Sequence, residues 1–131
     1  MKTEILTVAA ATEMLRESLK GPIIGYGQAR GIDDDATFWI NCVVQKKIES
    51  DIPGINVNYG YAPYGAAWAV AASCERIPKS LENRRDPERH RKLALRRLDK
   101  FDAAWANHEK RVKAGVVYNR ETGKVQLAKK P

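Results

Sequence analysis

The chain has 131 residues, of which 44% are hydrophobic, and a formal net charge of +7. It contains no run of 18 apolar residues, which excludes a membrane-spanning helix, and its N-terminal apolar run is too short for a typical signal peptide. We therefore predict a cytoplasmic protein that does not enter a membrane. The length suits one domain with its own core, and we expect residues 1–131 to form a single domain.

Residues 7–20 carry apolar side chains every three to four positions and end at a Gly-Pro pair, which predicts an N-terminal helix. Beyond it, alternation of polar with β-branched and aromatic residues favours strands at 23–30 and 37–47. The segment between them, residues 31–35, contains three successive aspartates and is typical of a turn.

Residues 55–74 fit two predictions. Their many alanines favour a helix at 63–76, because alanine has the highest helix propensity. The tetrapeptide Ala-Pro-Tyr-Gly at 62–65 instead suits a type I turn, and folding there pairs Tyr59 with Trp68 across a hairpin. We adopt the hairpin, which gives a sheet spanning residues 22–76, and keep the helix as the alternative.

The longest predicted element is a helix at residues 86–114. Asp86 can cap it, Pro87 suits its first position, and Gly115 can end it. His108 occupies one position of a heptad-like seam, which we expect to be buried. The apolar members of this seam are Ala94, Leu98, Phe101, Trp105 and Val112.

Residues 116–127 predict a terminal β-hairpin, with Gly123 at positive φ in its turn. The predicted fold is therefore α+β. It combines a mostly antiparallel four-stranded sheet with an N-terminal helix, one long helix in the second half and the terminal hairpin.

Neither a metal nor a cofactor is predicted. Cys42 and Cys74 lie in apolar stretches, where we expect two packed thiols rather than a disulfide. They form no zinc pattern with His90 and His108, because structural zinc sites need closely spaced ligand pairs. No Gly-x-Ser-x-Gly elbow or phosphate-binding glycine loop occurs either, so catalysis is not indicated.

Charge is distributed unevenly along the chain. Residues 1–75 hold 6 Lys and Arg against 9 Asp and Glu, a net of −3, whereas residues 76–131 hold 17 against 7, a net of +10. Such asymmetry indicates an anionic partner, and the alternative is a solvated face that keeps the protein soluble.

The leading hypothesis is a small non-catalytic binding protein whose basic helix engages a nucleic acid or a nucleotide-type ligand. Basic residues recurring at intervals of four, three and four line one stripe suited to phosphates. These residues are Arg85, Arg89, Lys92 and Arg96. Exposed tyrosines can stack on bases, and the candidates are Tyr26, Tyr61 and Tyr64.

Two alternatives remain. Leu98, Phe101, Trp105 and Val112 can form a surface for another protein, which would make the chain an adaptor or inhibitor, or a homodimer joined through the long helix. The third hypothesis is a Mg²⁺-dependent nuclease, because the three aspartates precede a Gln-x-Lys sequence. On one strand, however, Asp35 and Gln45 would lie about 33 Å apart and could not share a metal.

Overall fold

The computed structural model of the chain describes residues 6–128, and helices account for 69% of it. Helix α2 continues through a π-helical segment into α3 without a break, so residues 6–128 form four helical rods and one small sheet. The elements are α1 (Val8–Ser18), α2 (Tyr26–Phe38), the π segment (Trp39–Val44), α3 (Gln45–Asp51), α4 (Ala62–Glu82), α5 (Glu88–Ala114), β1 (Val116–Asn119) and β2 (Lys124–Leu127).

The predicted four-stranded sheet over residues 22–76 is wrong. Helices α2, α3 and α4 occupy that region, and β1 and β2 form the only sheet within residues 6–128. The turn predicted at residues 31–35 is likewise part of α2.

The π segment explains why residues 37–47 resembled a central strand. Trp39, Ile40, Val43 and Val44 are all buried, so apolar side chains point in several directions around the helix. An apolar run of this kind has the composition of a strand buried on both faces and cannot be distinguished from a buried helix by periodicity.

Helix α4 replaces the hairpin predicted at residues 55–74. The alanine content determined the outcome, and Pro63 lies in the first turn, where its missing N–H costs nothing. The helix also continues through Pro78 to Glu82, although a proline inside a helix removes one backbone hydrogen bond. Pro78 is buried, so packing compensates for that bond.

The predicted N-terminal helix and the predicted long helix are confirmed as α1 and α5. Thr7 caps α1 by accepting a hydrogen bond from the amide of Ala10 at 3.0 Å. The buried residues of α5 match the predicted seam except for Val112, which is half-buried, and are Ala94, Leu98, Phe101, Trp105 and His108.

The terminal β-hairpin is also confirmed. Strands β1 and β2 pair antiparallel, with Val116 opposite Leu127 and Asn119 opposite Lys124. Gly123 has a φ of 69°, which the turn requires and which glycine adopts without steric cost.

All four helical rods contribute buried residues to the core, and Trp39 lies where α1, the π segment and α5 meet. The ring of Trp39 packs edge-on against Phe101, with centroids 4.9 Å apart. Its indole N–H donates to the hydroxyl of Thr12 at 3.0 Å, so the polar end of this buried ring is satisfied. The most extensive helix pairing is that of α4 with α5, and the seam therefore packs on helices rather than on a sheet.

Both cysteines are free thiols, but only one is packed as predicted. Cys74 is buried in α4, whereas Cys42 is exposed on the π segment. No helix among the described residues is both long enough and apolar enough to cross a membrane.

Candidate anion-binding surface

Two arginines protrude at the connector between α4 and α5. The Arg85 amide donates to the carbonyl of Ser80 at 2.7 Å, and the Arg84 amide donates to the carbonyl of Leu81 at 3.2 Å. This pair of bonds closes α4 in a Schellman motif, whose left-handed position is usually a glycine. Arg84 occupies that position with a φ of 54°, and both arginines are exposed.

The first turn of α5 is fixed to the rest of the molecule by Glu88. Its carboxylate accepts from the amide of Ile23 at 2.7 Å and from the guanidinium of Arg91 at 2.7 Å. The bond from Arg91, followed by the Ile23 amide, lowers the pKa of Glu88. The charge of Glu88 is thus engaged inside the fold.

Two arginines of α5 connect helices and are not free to bind a ligand. Arg91 donates to the carbonyl of Leu19 at 2.6 Å. Arg97 donates to the carbonyl of Ala69 at 2.9 Å and to the hydroxyl of Ser73 at 2.6 Å, which joins α5 to α4. The dense basic sequence therefore contains structural cations as well as surface cations.

The other cations of this region are exposed and make no ion pair within residues 6–128. Asp99, three residues beyond Arg96, accepts instead from Arg16 of α1 at 2.9 Å. Between Arg84 and Lys100, the exposed cations without a carboxylate partner are Arg84, Arg85, Arg89, Lys92, Arg96 and Lys100.

A pocket of about 370 Å³ opens between the second half of α4, the connector and the first turn of α5. Three cations line it, namely Arg76 and Lys79 from α4 and Arg85 from the connector. One carboxylate, that of Glu75, also lies there and is paired with Lys79 at 2.9 Å. The net charge of these four side chains is therefore positive.

His90 lines the same pocket. Burial is the largest cause that lowers its pKa, and the nearby charges of Arg76 and Arg89 lower it further. Its Nδ1 is buried and has no hydrogen-bond partner within residues 6–128. Positive charge at this end of α5 thus adds to the effect of burial in lowering the pKa of His90.

Of the four predicted phosphate contacts, the structure brings only Arg85 into this pocket. Arg89, Lys92 and Arg96 lie on one exposed side of α5, at intervals of three and four residues that cover about 10 Å of helix. The predicted stripe does not run as a helix to Arg85, because α5 begins at Glu88. The surface thus consists of a pocket at the connector and a separate row of cations on the outer side of α5.

The three predicted stacking tyrosines lie in different environments. The hydroxyl of Tyr26 donates to Glu82 at 2.7 Å, at the end of α4 that leads to the connector, and its side chain is exposed. Tyr61 is buried and contacts His108, while Tyr64 is half-buried and stacks on Tyr59. Only Tyr26 is therefore both exposed and next to the connector.

The four predicted interface residues lie mainly inside the chain. Leu98, Phe101 and Trp105 are buried against its own helices, and Val112 is half-buried. Trp105 and Val112 also line an open groove of about 830 Å³ at the C-terminal end of α5. A dimer formed through Leu98 and Phe101 would require opening the core.

The three aspartates lie along α2 and not in a turn. Asp35 and Gln45 are ten residues apart on a continuous helical rod, about 15 Å by helical rise, which is still too far for one metal ion. In the part of the chain that the structure describes, no group of three or more potential ligands lies together.

Similarity to known proteins offers no assignment. No family model matches the sequence, and no curated protein or solved structure shows significant similarity to it. The function is therefore inferred from the geometry of the surface described above.

Two residues of the pocket, Arg76 and His90, escaped the sequence analysis. Arg76 falls at the end of the sheet predicted at residues 22–76, and His90 was considered only as a zinc ligand. Both residues lie close to Arg84 and Arg85 in the sequence, which could have indicated a shared site. That proximity becomes informative only because α4 is a helix that ends at this connector.

Proposed function

We propose that this chain is a non-catalytic cytoplasmic binding protein that engages a nucleic acid or a nucleotide-type ligand. The binding surface is the pocket at the connector together with the exposed side of α5. The observation that supports this proposal most is that the exposed arginines and lysines between Arg84 and Lys100 lack carboxylate partners in the described part of the chain.

Unpartnered cations at a helix start are costly unless something anionic neutralises them. Like charges repel one another here, and positive charge is unfavourable near the N-terminus of α5 because it opposes the helix dipole. A phosphate removes both penalties, and the planar fork of arginine binds two phosphate oxygens at once. The repulsion among these cations and their interaction with the helix dipole lower the stability of α5, and phosphate binding would offset that loss.

The size of the pocket is compatible with such a ligand. At about 370 Å³ it falls at the small end of the range for small-molecule sites and has room for a phosphate or part of a nucleotide. The row formed by Arg89, Lys92 and Arg96 spans about 10 Å of α5, so its three charges can contact neighbouring phosphates of one strand. An extended polyanion would use both parts.

The experiment compares two triple variants with the same net charge. R89Q/K92Q/R96Q removes the row on α5, and K46Q/K110Q/K113Q removes three exposed lysines elsewhere. Fluorescence anisotropy with labelled single-stranded and double-stranded oligonucleotides at about 50 mM salt measures affinity, and calorimetry with ATP measures nucleotide binding.

We expect the variant of the α5 row to lose at least about tenfold in affinity, since each phosphate contact contributes to binding at low salt. The control variant should lose much less. Equal losses in the two variants would show that only total charge matters, and absence of binding to all three ligands would contradict the proposal.

A further inference from the structure

A second cavity, of about 440 Å³, lies on the other side of Trp68, between the α2 rod and α4. It differs from the cationic pocket because its polar walls carry acidic and neutral groups, with no arginine or lysine among them. Its lining residues are Asp33, Thr37, Ile40, Asn41, Tyr59, Tyr64, Trp68, Ala71 and Glu75.

Three aromatic rings form one wall of this cavity. Tyr59 is central, with its ring centroid 6.0 Å from that of Tyr64 and 5.5 Å from that of Trp68. Tyr59 is 64% exposed, which is unusual for a large aromatic side chain that already has two ring neighbours. Its outer face is therefore available to a ligand.

The position of Tyr59 is set by a close backbone approach. A Cβ on Gly65 would lie 2.6 Å from the carbonyl oxygen of Tyr59, so only glycine at this point of α4 permits the contact. Because Gly65 has no side chain, the backbone at Tyr59 can approach α4 closely enough for its ring to pack beside Tyr64 and Trp68.

Two carboxylates, from Asp33 of α2 and Glu75 of α4, form the facing polar wall. Burial raises the pKa of Asp33, and the charge of Glu75 raises it further, while Arg30 and Lys79 offset part of this effect. Negative charge in the cavity is thus only partly neutralised by the chain itself.

The π segment supplies the floor through Ile40 and Asn41. Wider π-helical turns are rare and recur at functional sites, because they alter which side chains a helix presents. Here the wider turn accompanies burial of Trp39 and Val43 on one side and presentation of Asn41 to the cavity on the other.

We propose that this cavity binds an organic cation of the alkylammonium class, with its methyl or methylene groups on the rings of Tyr59, Tyr64 and Trp68 and its charge facing Asp33 and Glu75. Aromatic faces attract cations through their quadrupole, and carboxylates neutralise the charge. An anion would be repelled by these carboxylates. A neutral apolar ligand would leave Asp33 unpaired, because only Glu75 of the two has an ion-pair partner within residues 6–128, Lys79 at 2.9 Å.

The test is an NMR titration of isotope-labelled protein with tetramethylammonium chloride, with sodium chloride as the ionic-strength control. We expect saturable shifts confined to α2, the π segment, the loop that carries Tyr59 and the part of α4 from Tyr64 to Glu75. Choline should also bind, whereas its uncharged isostere 3,3-dimethyl-1-butanol should bind at least about threefold more weakly, the smallest effect expected of a cation–π site.

Substitutions in the aromatic and the acidic wall distinguish a loss of ligand contacts from a loss of folding. Tyr59→Leu and Asp33→Asn should each weaken tetramethylammonium binding by about threefold or more, while Asp34→Asn, on an exposed neighbouring aspartate, should leave it unchanged. Amide spectra of each variant in the absence of ligand confirm that it is folded. Absence of saturation up to about 100 mM, equal binding of the neutral isostere, or insensitivity to both substitutions would overturn the proposal.

Discussion

The hydroxyl of Tyr61 lies 2.5 Å from Nδ1 of His108, in the buried half of α5. The other ring nitrogen, Nε2, lies 3.0 Å from a carboxylate oxygen of Asp51, which also pairs with Lys47 at 2.9 Å. With Tyr61 donating to Nδ1 and Nε2–H donating to Asp51, both nitrogens of this buried ring are satisfied. These contacts connect the end of α3 and the start of α4 to α5.

Tyr61→Phe should therefore destabilise the protein by about 1–3 kcal/mol, because it leaves Nδ1 of His108 buried without a partner. Urea unfolding followed by circular dichroism measures the change. Tyr118→Phe serves as the control, since no hydrogen bond of the Tyr118 hydroxyl is present among the described residues. A cost for Tyr61→Phe no larger than that of the control would contradict this role of His108.

Gly65→Ala and Gly31→Ala form a matched pair within helices. At Gly65 the new Cβ would meet the Tyr59 carbonyl at 2.6 Å, so we expect the loss of about 1–3 kcal/mol and displacement of the Tyr59 ring. At Gly31, inside α2, nothing lies within 4 Å, and alanine should stabilise the helix by about 0.5–1 kcal/mol. Thermal unfolding of the two variants should shift in opposite directions, and shifts of the same sign would refute the close contact.

Arg84→Gly should separate stability from binding. The left-handed conformation of Arg84 costs about 1 kcal/mol relative to glycine, so the substitution should raise the free energy of unfolding by about that amount. It should also weaken oligonucleotide binding at low salt, because it removes one exposed cation of the connector. Chemical denaturation and anisotropy on the same sample decide the matter. A decrease in stability would mean that the Arg84 side chain makes a favourable contact in the folded protein.

Stability should fall at alkaline pH through Cys74. Burial raises the pKa of this thiol from 9.0 to about 12. Between these values the unfolded chain releases the proton while the folded chain retains it, so unfolding becomes more favourable as the pH rises. The contribution at pH 10.5 is about 2 kcal/mol, by the free energy that corresponds to one pKa unit.

Urea unfolding at pH 8 and pH 10.5 measures this effect in Cys74→Ala and in Cys42→Ala. The first variant should lose less stability between the two pH values than the original protein, whereas the second, which alters an exposed thiol, should lose as much. Identical pH dependence in all three proteins would show that Cys74 does not titrate with unfolding.

The sequence predicted those elements whose signals are local and agree with one another. Thr7 caps α1, the spacing of Leu98, Phe101 and Trp105 identifies the buried side of α5, and Gly123 marks the terminal turn. At each of these places the apolar period, the cap or the turn residue points to the same structure.

The middle of the chain failed because its signals conflict. Apolar residues lie on all sides of the π segment, so the periodicity that would identify a helix is absent. In α4, the turn signal of Ala-Pro-Tyr-Gly at residues 62–65 conflicts with the helix propensity of the alanines that follow. The hairpin prediction nevertheless placed Tyr59 against Trp68, and their rings do lie 5.5 Å apart. The contact arises from a loop that folds onto a helix, not from paired strands.

The candidate sites were predictable only in part, for the same reason. Exposed cations such as Arg89 and Lys92 follow from helical spacing alone, whereas the pocket beside His90 depends on where α4 ends. The internal roles of Arg91 and Arg97 depend on carbonyls of other helices, and charge in the sequence carries no information on such partners.

The most direct test of the central claim is the salt dependence of oligonucleotide binding, measured by anisotropy from about 50 to 300 mM salt. For duplex DNA the slope of log K against log salt should be shallower by about 2 to 3 in R89Q/K92Q/R96Q than in the original protein, because three phosphate contacts are lost. The K46Q/K110Q/K113Q variant should keep the original slope. A slope that is unchanged in the first variant, or equally reduced in both, would contradict the assignment of the anion-binding surface to the exposed side of α5.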